Sequence, residues 1–213
     1  MAKLSPAPPA DPTRAKLLEA AGNVFAEQGF HAATVREICA RAGANVAAVN
    51  YHFGDKAELY EEVLRLAIYA APDAELRKLL ADIPPEEALR RFIRYMIGRI
   101  CSASRPGWAI RIMAHEMAHP TPALDSVIDE IIAPNYLVLR TLTGRFLGRS
   151  PDHEKTRFCA HSVIGQVIHY LVARPVIERL WPELTLSEKN AGRIADHIAD
   201  FSLAYLTSAR KSS

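Results

Sequence analysis

Cysteine is scarce in this chain of 213 residues: Cys39, Cys101 and Cys159 are odd in number and far apart. With no Cys-x-x-Cys pair among them, a disulfide framework and a cysteine-rich zinc module are both excluded. Nor does one sign of charge dominate, since 26 Lys plus Arg stand against 24 Asp plus Glu for a net +2. Bulk charge therefore does not hold this protein on nucleic acid, and any such site must be local. Long apolar runs are missing as well. The most apolar stretch, 158–172, is too short to span a bilayer and is interrupted by His161, Ser162, Gln166 and His169. The opening MAKLSPAPPADP has one Lys but no apolar segment of a signal peptide. It reads as a flexible arm over 1–12, on a cytoplasmic protein with no membrane partner. Strand-like alternation is rare and internal repeats are absent.

What is present is helix after helix, in a composition 49% hydrophobic and 23% charged. Asp11-Pro12-Thr13 opens the first helix: Asp11 can accept from free N–H groups, and Pro12 suits a position that needs none. Leu17, Leu18, Ala21, Val24 and Phe25 recur at helical spacing, and Gly29 supplies the left-handed residue at the end. Thr34-Val35-Arg36-Glu37 is a capping box for a second helix, in which the Thr34 hydroxyl takes the Glu37 N–H and the Glu37 carboxylate returns to the Thr34 N–H. This helix stops at Gly43. Asn45 caps a short third helix, 46–53. Asp55 and Glu58 open a fourth, with Pro72 marking its end. Further helices are expected near 86–103, 107–118, 123–147, 153–173 and 187–208, the third of these kinked or split at Pro134.

Two short capped helices joined by a tight turn at Gly43 form a helix-turn-helix, whose second helix is presented to a major groove. Val49 and Phe53 are spaced to bury against the preceding helices, leaving Ala47, Ala48, Asn50, Tyr51 and His52 outward or flanking. Small side chains at Ala47 and Ala48 allow close approach to base edges, and Asn50 can pair bidentately with adenine. Thr34, Arg36 and Lys56, at helix starts, suit phosphate oxygens, and the capping Asn45 stands beside them. Between residues 11 and 56, Arg14, Lys16, Arg36, Arg41 and Lys56 are offset by Asp11, Glu19, Glu27, Glu37 and Asp55. Affinity must then come from a few placed contacts and from two-fold avidity.

The run TRAKLLEAAGNVFAEQGFHAATVREICARAGANVAAVNYHFGDKAELYEEVL, from residue 13 to 64, resembles the N-terminal domain of TetR-type transcriptional regulators. The likeness rests on G-F-x-x-x-T-V-R-E-I at 29–38, the A-x-x-A-G turn and Y-H-F-x-x-K at 51–56. Asn50 stands where the family most often has Tyr, which bears on base preference. A second run, RIMAHEMAHPTPALDSVIDEIIAPN at 111–135, resembles the C-terminal domain of a CecR-like branch of these regulators. The resemblance implies an all-α homodimer: a helix-turn-helix three-helix domain over 13–60, then a larger helical effector-binding and dimerisation domain over 61–208, with a tail at 209–213. It also implies a repressor that binds a double-stranded DNA operator, is released by a small-molecule effector, and controls genes for export or detoxification. No cofactor is implied, and no nucleophile constellation suggests an enzyme. The helix from Lys56 to Tyr69 joins the two domains and is the natural lever between them.

On shared helical faces, Tyr95, Trp108, Ile112, His115 and Tyr136 are the candidate effector contacts, against core packing as the plainer role. Val163, Val167, Leu171 and Ile194, Ile198, Phe201, Tyr205 form stripes for either a dimer interface or the intrachain core, with Ala160 and Gly165 allowing close helix approach. His115-Glu116-Met117-Ala118-His119 is literally H-E-x-x-H, the pattern of zinc proteases. The prolines 120 and 122 that follow at once, and the lack of a strand to bind an extended peptide, argue against catalysis. A metal-sensing site with His115 and His119, joined by Asp125 or Glu116, is the second alternative.

Overall fold

The computed structural model describes residues 11–68 and 74–211. Pro72, the end of the Lys56–Tyr69 lever and all but the last two residues of the expected arm lie outside the described residues. Helices α1 (Pro12–Ala32), α2 (Val35–Ala42), α3 (Val46–Phe53) and α4 (Lys56–Ala67) come first. After them run α5 (Ala74–Asp82), α6 (Pro85–Cys101), α7 (Ala109–Ala118) and α8 (Pro122–Val127). A π turn (Ile128–Ile132) leads into α9 (Ala133–Leu147), and α10 (Glu154–Val172), α11 (Arg174–Leu180) and α12 (Glu188–Lys211) complete the chain. No strand occurs among the described residues. The fold is all-α, as the periodicity indicates.

Local chemistry accounts for the boundaries. The Asp11 carboxylate accepts from the Thr13 and Arg14 amides, and the Thr13 bond foremost holds its carboxyl below the usual range. Gly29 adopts φ 77° inside α1 and breaks its regularity. Thr34 Oγ1 accepts the Glu37 N–H at 3.2 Å, so one arm of the capping box forms. The other is replaced, because the Glu37 carboxylate takes Gln28 Nε2 at 2.8 Å and Arg41 at 2.8 Å. Gly43 closes α2 at φ 64°, a conformation only glycine adopts without strain. The interruption expected at Pro134 takes the form of the π turn just before it. Proline cannot donate into the helix ladder, and Asn135 Nδ2 donates to the Ile131 carbonyl at 2.9 Å. Helices α5 and α11 were not anticipated; both are short, of nine and seven residues.

The chain forms two compact units. One comprises 11–68 together with 106–127, the other 74–105 together with 128–211. The helix-turn-helix is thus completed by a segment from later in the chain, which differs from a division near residue 60. The reason is the apolar face of α4: Leu59, Tyr60, Val63, Leu64 and Ala67 are buried, and so short a stretch as 13–60 has too little mass to cover it. Helices α8 and α7 supply the cover, and α7 packs on α1 as well. Trp108, just before α7, is 1% exposed and lies against Gly22 of α1, where any Cβ would overlap the indole ring. Its Nε1–H donates to Glu19 at 3.0 Å. Ile112, one turn on, is fully buried. In the other unit α6, α9, α10 and α12 enclose a core of Phe92, Ile97, Leu139, Val163, Ile198 and Leu206.

Candidate nucleic-acid interface

The second helix of the motif, α3, is fixed from behind and bare in front. Val49 is fully buried and Phe53 is 7% exposed, and the Arg14 guanidinium stacks over the Phe53 ring at 5.1 Å while pairing with Glu62 at 2.7 Å. The Cys39 thiol donates to the Asn45 carbonyl at the entry to α3. Opposite this anchored face stand Val46, Ala47, Asn50 and Tyr51, all exposed. Their i, i+1, i+4, i+5 spacing makes one continuous surface. Tyr51 is 84% exposed, so the helix presents a phenol, an amide and two small or branched apolar groups. This is the mixture suited to base edges and thymine methyls. Val46 opens this surface, one turn before Asn50, within the segment 46–52 that the sequence offers to DNA.

The flanking residues divide into two groups. Thr34 and Arg36 are exposed at the start of α2, where free amides and a guanidinium favour an anion. Asn45 is exposed too, but its side-chain oxygen caps α3 by accepting the Ala48 N–H at 2.9 Å, which leaves its NH₂ for a ligand. Ala48 is half-buried beside it. His52 turns toward the start of α1, with Nε2 3.6 Å from Asp11 Oδ2, and its ring meets Tyr51 edge-on at 4.9 Å. Lys56 is tied inside the unit: Nζ donates to the Ala33 carbonyl at 2.9 Å and sits 4.5 Å over the Phe30 ring. Lys56→Met is accordingly expected to lower the unfolding free energy by about 1–2 kcal/mol in the absence of DNA. Thermal unfolding of the free protein checks this; an unchanged midpoint would return the ammonium to a purely external role.

The H-E-x-x-H pattern is not arranged as in a zinc site. Glu116 is fully buried and all its acceptor capacity faces inward. Tyr60 Oη donates to Oε2 at 2.5 Å, and the Thr121 amide and hydroxyl donate to Oε1 at 2.6 and 2.9 Å. Burial, and then the bond to Glu116, push the Tyr60 phenol up. The helix ends at Ala118, so His119 leaves it at φ −139°, ψ 76°, and the two imidazoles do not share a helical face. His115 lies beside Gly29. Among the described residues no group of three or more His, Cys, Asp or Glu could hold a metal ion. Both metal readings, sensor and protease, lose their footing here. The three thiols are buried and pushed up by that burial.

The five candidate effector residues are not brought together in one unit. Trp108 and Ile112 are closed core positions of the first unit, Trp108 packed on Gly22 of α1, and His115 belongs to the same unit. Tyr95 and Tyr136 belong to the second. Tyr95 stacks on Phe92 at 6.1 Å, and Tyr136 meets the His161 ring at 4.9 Å with Arg140 over its face at 5.1 Å. Of the stripes on the last long helices, Val163, Val167, Ile194 and Ile198 are in the intrachain core. The outward stripes are Phe158, His161, Gly165, Ile168 and Val172 on α10, and His197, Phe201, Ala204 and Ser208 on α12. Both follow the three–four spacing of a helix seam. Among the described residues no helix is long and apolar enough to cross a membrane.

Known proteins agree with this architecture. Residues 17–63 match the family of bacterial regulatory proteins named for TetR, and residues 85–206 match the C-terminal domain of the HTH-type transcriptional dual regulator CecR. CecR of Shigella flexneri is 29% identical over 176 residues, 76% of this chain and 77% of that protein. The HTH-type transcriptional repressor NicS of Pseudomonas putida is 39% identical over 90 residues, 41% of each chain. Among solved structures, NalD of Pseudomonas aeruginosa, the secondary repressor of the MexAB-OprM multidrug efflux pump, superposes with a TM-score of 0.59. It is 20% identical, over 87% of this chain and 94% of its own, a likeness of fold. The exposed face of α3 on a helix-turn-helix, and a C-terminal domain matched over 85–206, place this chain in the TetR family of DNA-binding transcriptional regulators, in its CecR-like branch.

Proposed function

We propose that the chain is a dimeric, ligand-responsive repressor that binds a palindromic operator through α3 of each protomer. The observation that carries this reading is the bare surface of Val46, Ala47, Asn50 and Tyr51 opposite an anchored face. Thr34, Arg36 and the NH₂ of Asn45 position the phosphates beside it. Lys56 and His52 hold the edges of the surface. Two copies would set their reading helices about 34 Å apart, one turn of DNA. The outward stripes of α10 and α12 supply the two-fold face, since they are exposed at seam spacing and carry Phe158, Ile168, Val172 and Phe201 among their residues. Tyr95 and Tyr136 keep the assignment as effector contacts, for a small molecule with apolar or aromatic character. NicS and NalD are named as repressors, the latter of an efflux pump, which favours repression of export or detoxification genes here.

The test is fluorescence anisotropy of the purified protein on DNA from just upstream of its own gene, against a scrambled duplex of equal length. Saturable, sequence-selective binding with two chains per site is expected, unchanged by chelator. Binding equal to that of the scrambled duplex at every salt concentration would sink the operator reading for that site. Asn50→Ala should relax preference at one base of each half-site, worth about 1–3 kcal/mol of discrimination. A binding panel of single-base operator variants reads that directly, and an unaltered preference would remove Asn50 from base readout.

A further inference from the structure

Four buried side-chain polar atoms between residues 140 and 156 of the second unit have no hydrogen-bond partner: Arg140 Nε, Thr143 Oγ1, Arg149 Nε and Thr156 Oγ1. Both threonines are fully buried. Such orphans are rare in a folded chain, because each has given up its hydration for nothing. All four lie at the corner where α9 gives way to α10. The corner is tight at Gly144, where a Cβ would stand 2.7 Å from the Arg149 carbonyl oxygen. The Arg149 amide donates to the Gly144 carbonyl there, at 2.9 Å. Thr143 thus adjoins the corner on α9, and Thr156 adjoins it in the first turn of α10.

What this corner lacks is acceptors. The two Nε–H groups can only donate, and the two hydroxyls can donate as well. Whichever nitrogen of a neutral His153 ring carries the proton, one N–H there meets another: the Lys155 amide faces Nδ1 at 3.1 Å and Arg149 Nη1 faces Nε2 at 2.8 Å. Between residues 140 and 157, five Lys or Arg stand against Asp152 and Glu154. Two of the five are committed to the fold, since Arg145 donates to the Leu80 and Ile83 carbonyls and Lys155 to that of Ala209. Arg140, Arg149 and Arg157 remain. Glu154 is exposed at the start of α10, and Asp152 is the carboxylate that answers the arginines. Its Oδ1 lies 2.6 Å from Arg140 and 3.2 Å from Arg157, so two guanidiniums already converge on one oxygen. The Asp152 side chain is 69% exposed and that of Arg140 only 17%. The acid is free to swing into water, and the base is not.

We infer that the α9–α10 corner is a binding site for a phosphate dianion, free or as a monoester, held by Arg140, Arg149 and Arg157 with the Thr143 and Thr156 hydroxyls as further donors. One phosphate oxygen takes the point now held by Asp152 Oδ1, and the carboxylate turns outward. Three guanidiniums less that one carboxylate leave two positive charges, the charge of the dianion; a carboxylate ligand would leave one unmatched. A single water accepts from at most two of the four orphaned donors, whereas a tetrahedral ion offers oxygens in several directions. The free amides at the start of α10 favour the same sign of charge. The site lies within the second unit and needs neither the dimer nor the effector proposed above.

Calorimetric titration with inorganic phosphate, against acetate and chloride at equal ionic strength, tests this. One phosphate per chain is expected, with acetate weaker by about tenfold or more. Arg149→Gln and Arg157→Gln should each weaken phosphate by about tenfold or more. Arg179→Gln, the same loss of charge at an exposed position of α11, should leave it unchanged. Asp152→Ala should tighten phosphate several-fold, because the competing carboxylate is gone, and this opposite sign keeps the test decisive if an arginine variant unfolds. Phenyl phosphate bound more tightly than the free ion would identify the ligand as an ester, and equal affinity would identify the free ion; the site stands in both cases. The absence of saturable phosphate binding in both the wild type and Asp152→Ala would refute it. Binding indifferent to Arg149 and Arg157, or acetate bound as firmly as phosphate, would refute it equally.

Discussion

Trp108→Ala is expected to lower the unfolding free energy by about 3–5 kcal/mol, the usual cost of emptying a large aromatic site. The indole is 1% exposed, fills the notch that Gly22 leaves in α1, and donates to Glu19. Its removal leaves a cavity between α1 and α7 that neither rigid helix can close. Gly22→Ala gives the complementary sign test. In an ordinary helix this change stabilises by about 1 kcal/mol, whereas here the new methyl overlaps the ring and the change should destabilise. Urea unfolding followed by circular dichroism measures both. A loss below about 1 kcal/mol for Trp108→Ala, or a gain for Gly22→Ala, would mean that the segment 106–127 does not complete the DNA-reading unit.

Gly165→Glu should convert the protein to a monomer and weaken operator binding by about 100-fold or more, the avidity lost when two reading heads are no longer linked. The glycine is exposed in mid-α10, and a side chain there meets nothing in its own chain. The monomer fold is therefore untouched, and helicity should rise slightly if it changes. Sedimentation equilibrium and operator anisotropy on the same samples check the two halves together. A Gly165→Glu protein that remains a dimer would remove the α10 face as the two-fold contact. The wild-type stoichiometry of two chains per operator would then need another surface.

Much of the molecule was legible because the determinants are local. Asp11, Thr34, Asn45 and Asp55 each cap the helix expected of them, since a cap needs only a side-chain oxygen within three residues of a free amide. Val49 and Phe53 are buried as their spacing requires, which in turn exposes Asn50 and Tyr51. The long C-terminal helices fall within a few residues of their periodic signals. Helix α11 escaped because seven residues with no buried face carry no periodicity to read.

What was not legible depends on partners distant in sequence. Glu116 looked like a metal-site carboxylate because its local pattern is H-E-x-x-H. Only the arrival of Tyr60 from 56 residues away makes it a buried acceptor. Lys56 reads in sequence as a phosphate ligand, and the fold adds an internal role, a hydrogen bond to the Ala33 carbonyl and a place over the Phe30 ring. Trp108 and Ile112 share a helical face in either role, and the packing of α7 on α1 and α4 decides that they are core. The same holds for Val163 and Ile198, which periodicity could assign to an interface or an interior with equal right.

The amino-acid order alone settles the helices other than α5 and α11, the caps of α1–α4 and the tight turn at Gly43, together with the family likeness these carry. Each of them is decided by bonds and sterics spanning a handful of residues. The membership of 106–127 in the DNA-reading unit, the burial of Glu116 and the outward turn of Phe158, Gly165 and Phe201 belong to the folded chain. In each case an apolar or polar face accepts several partners equally well in sequence, and packing chooses one.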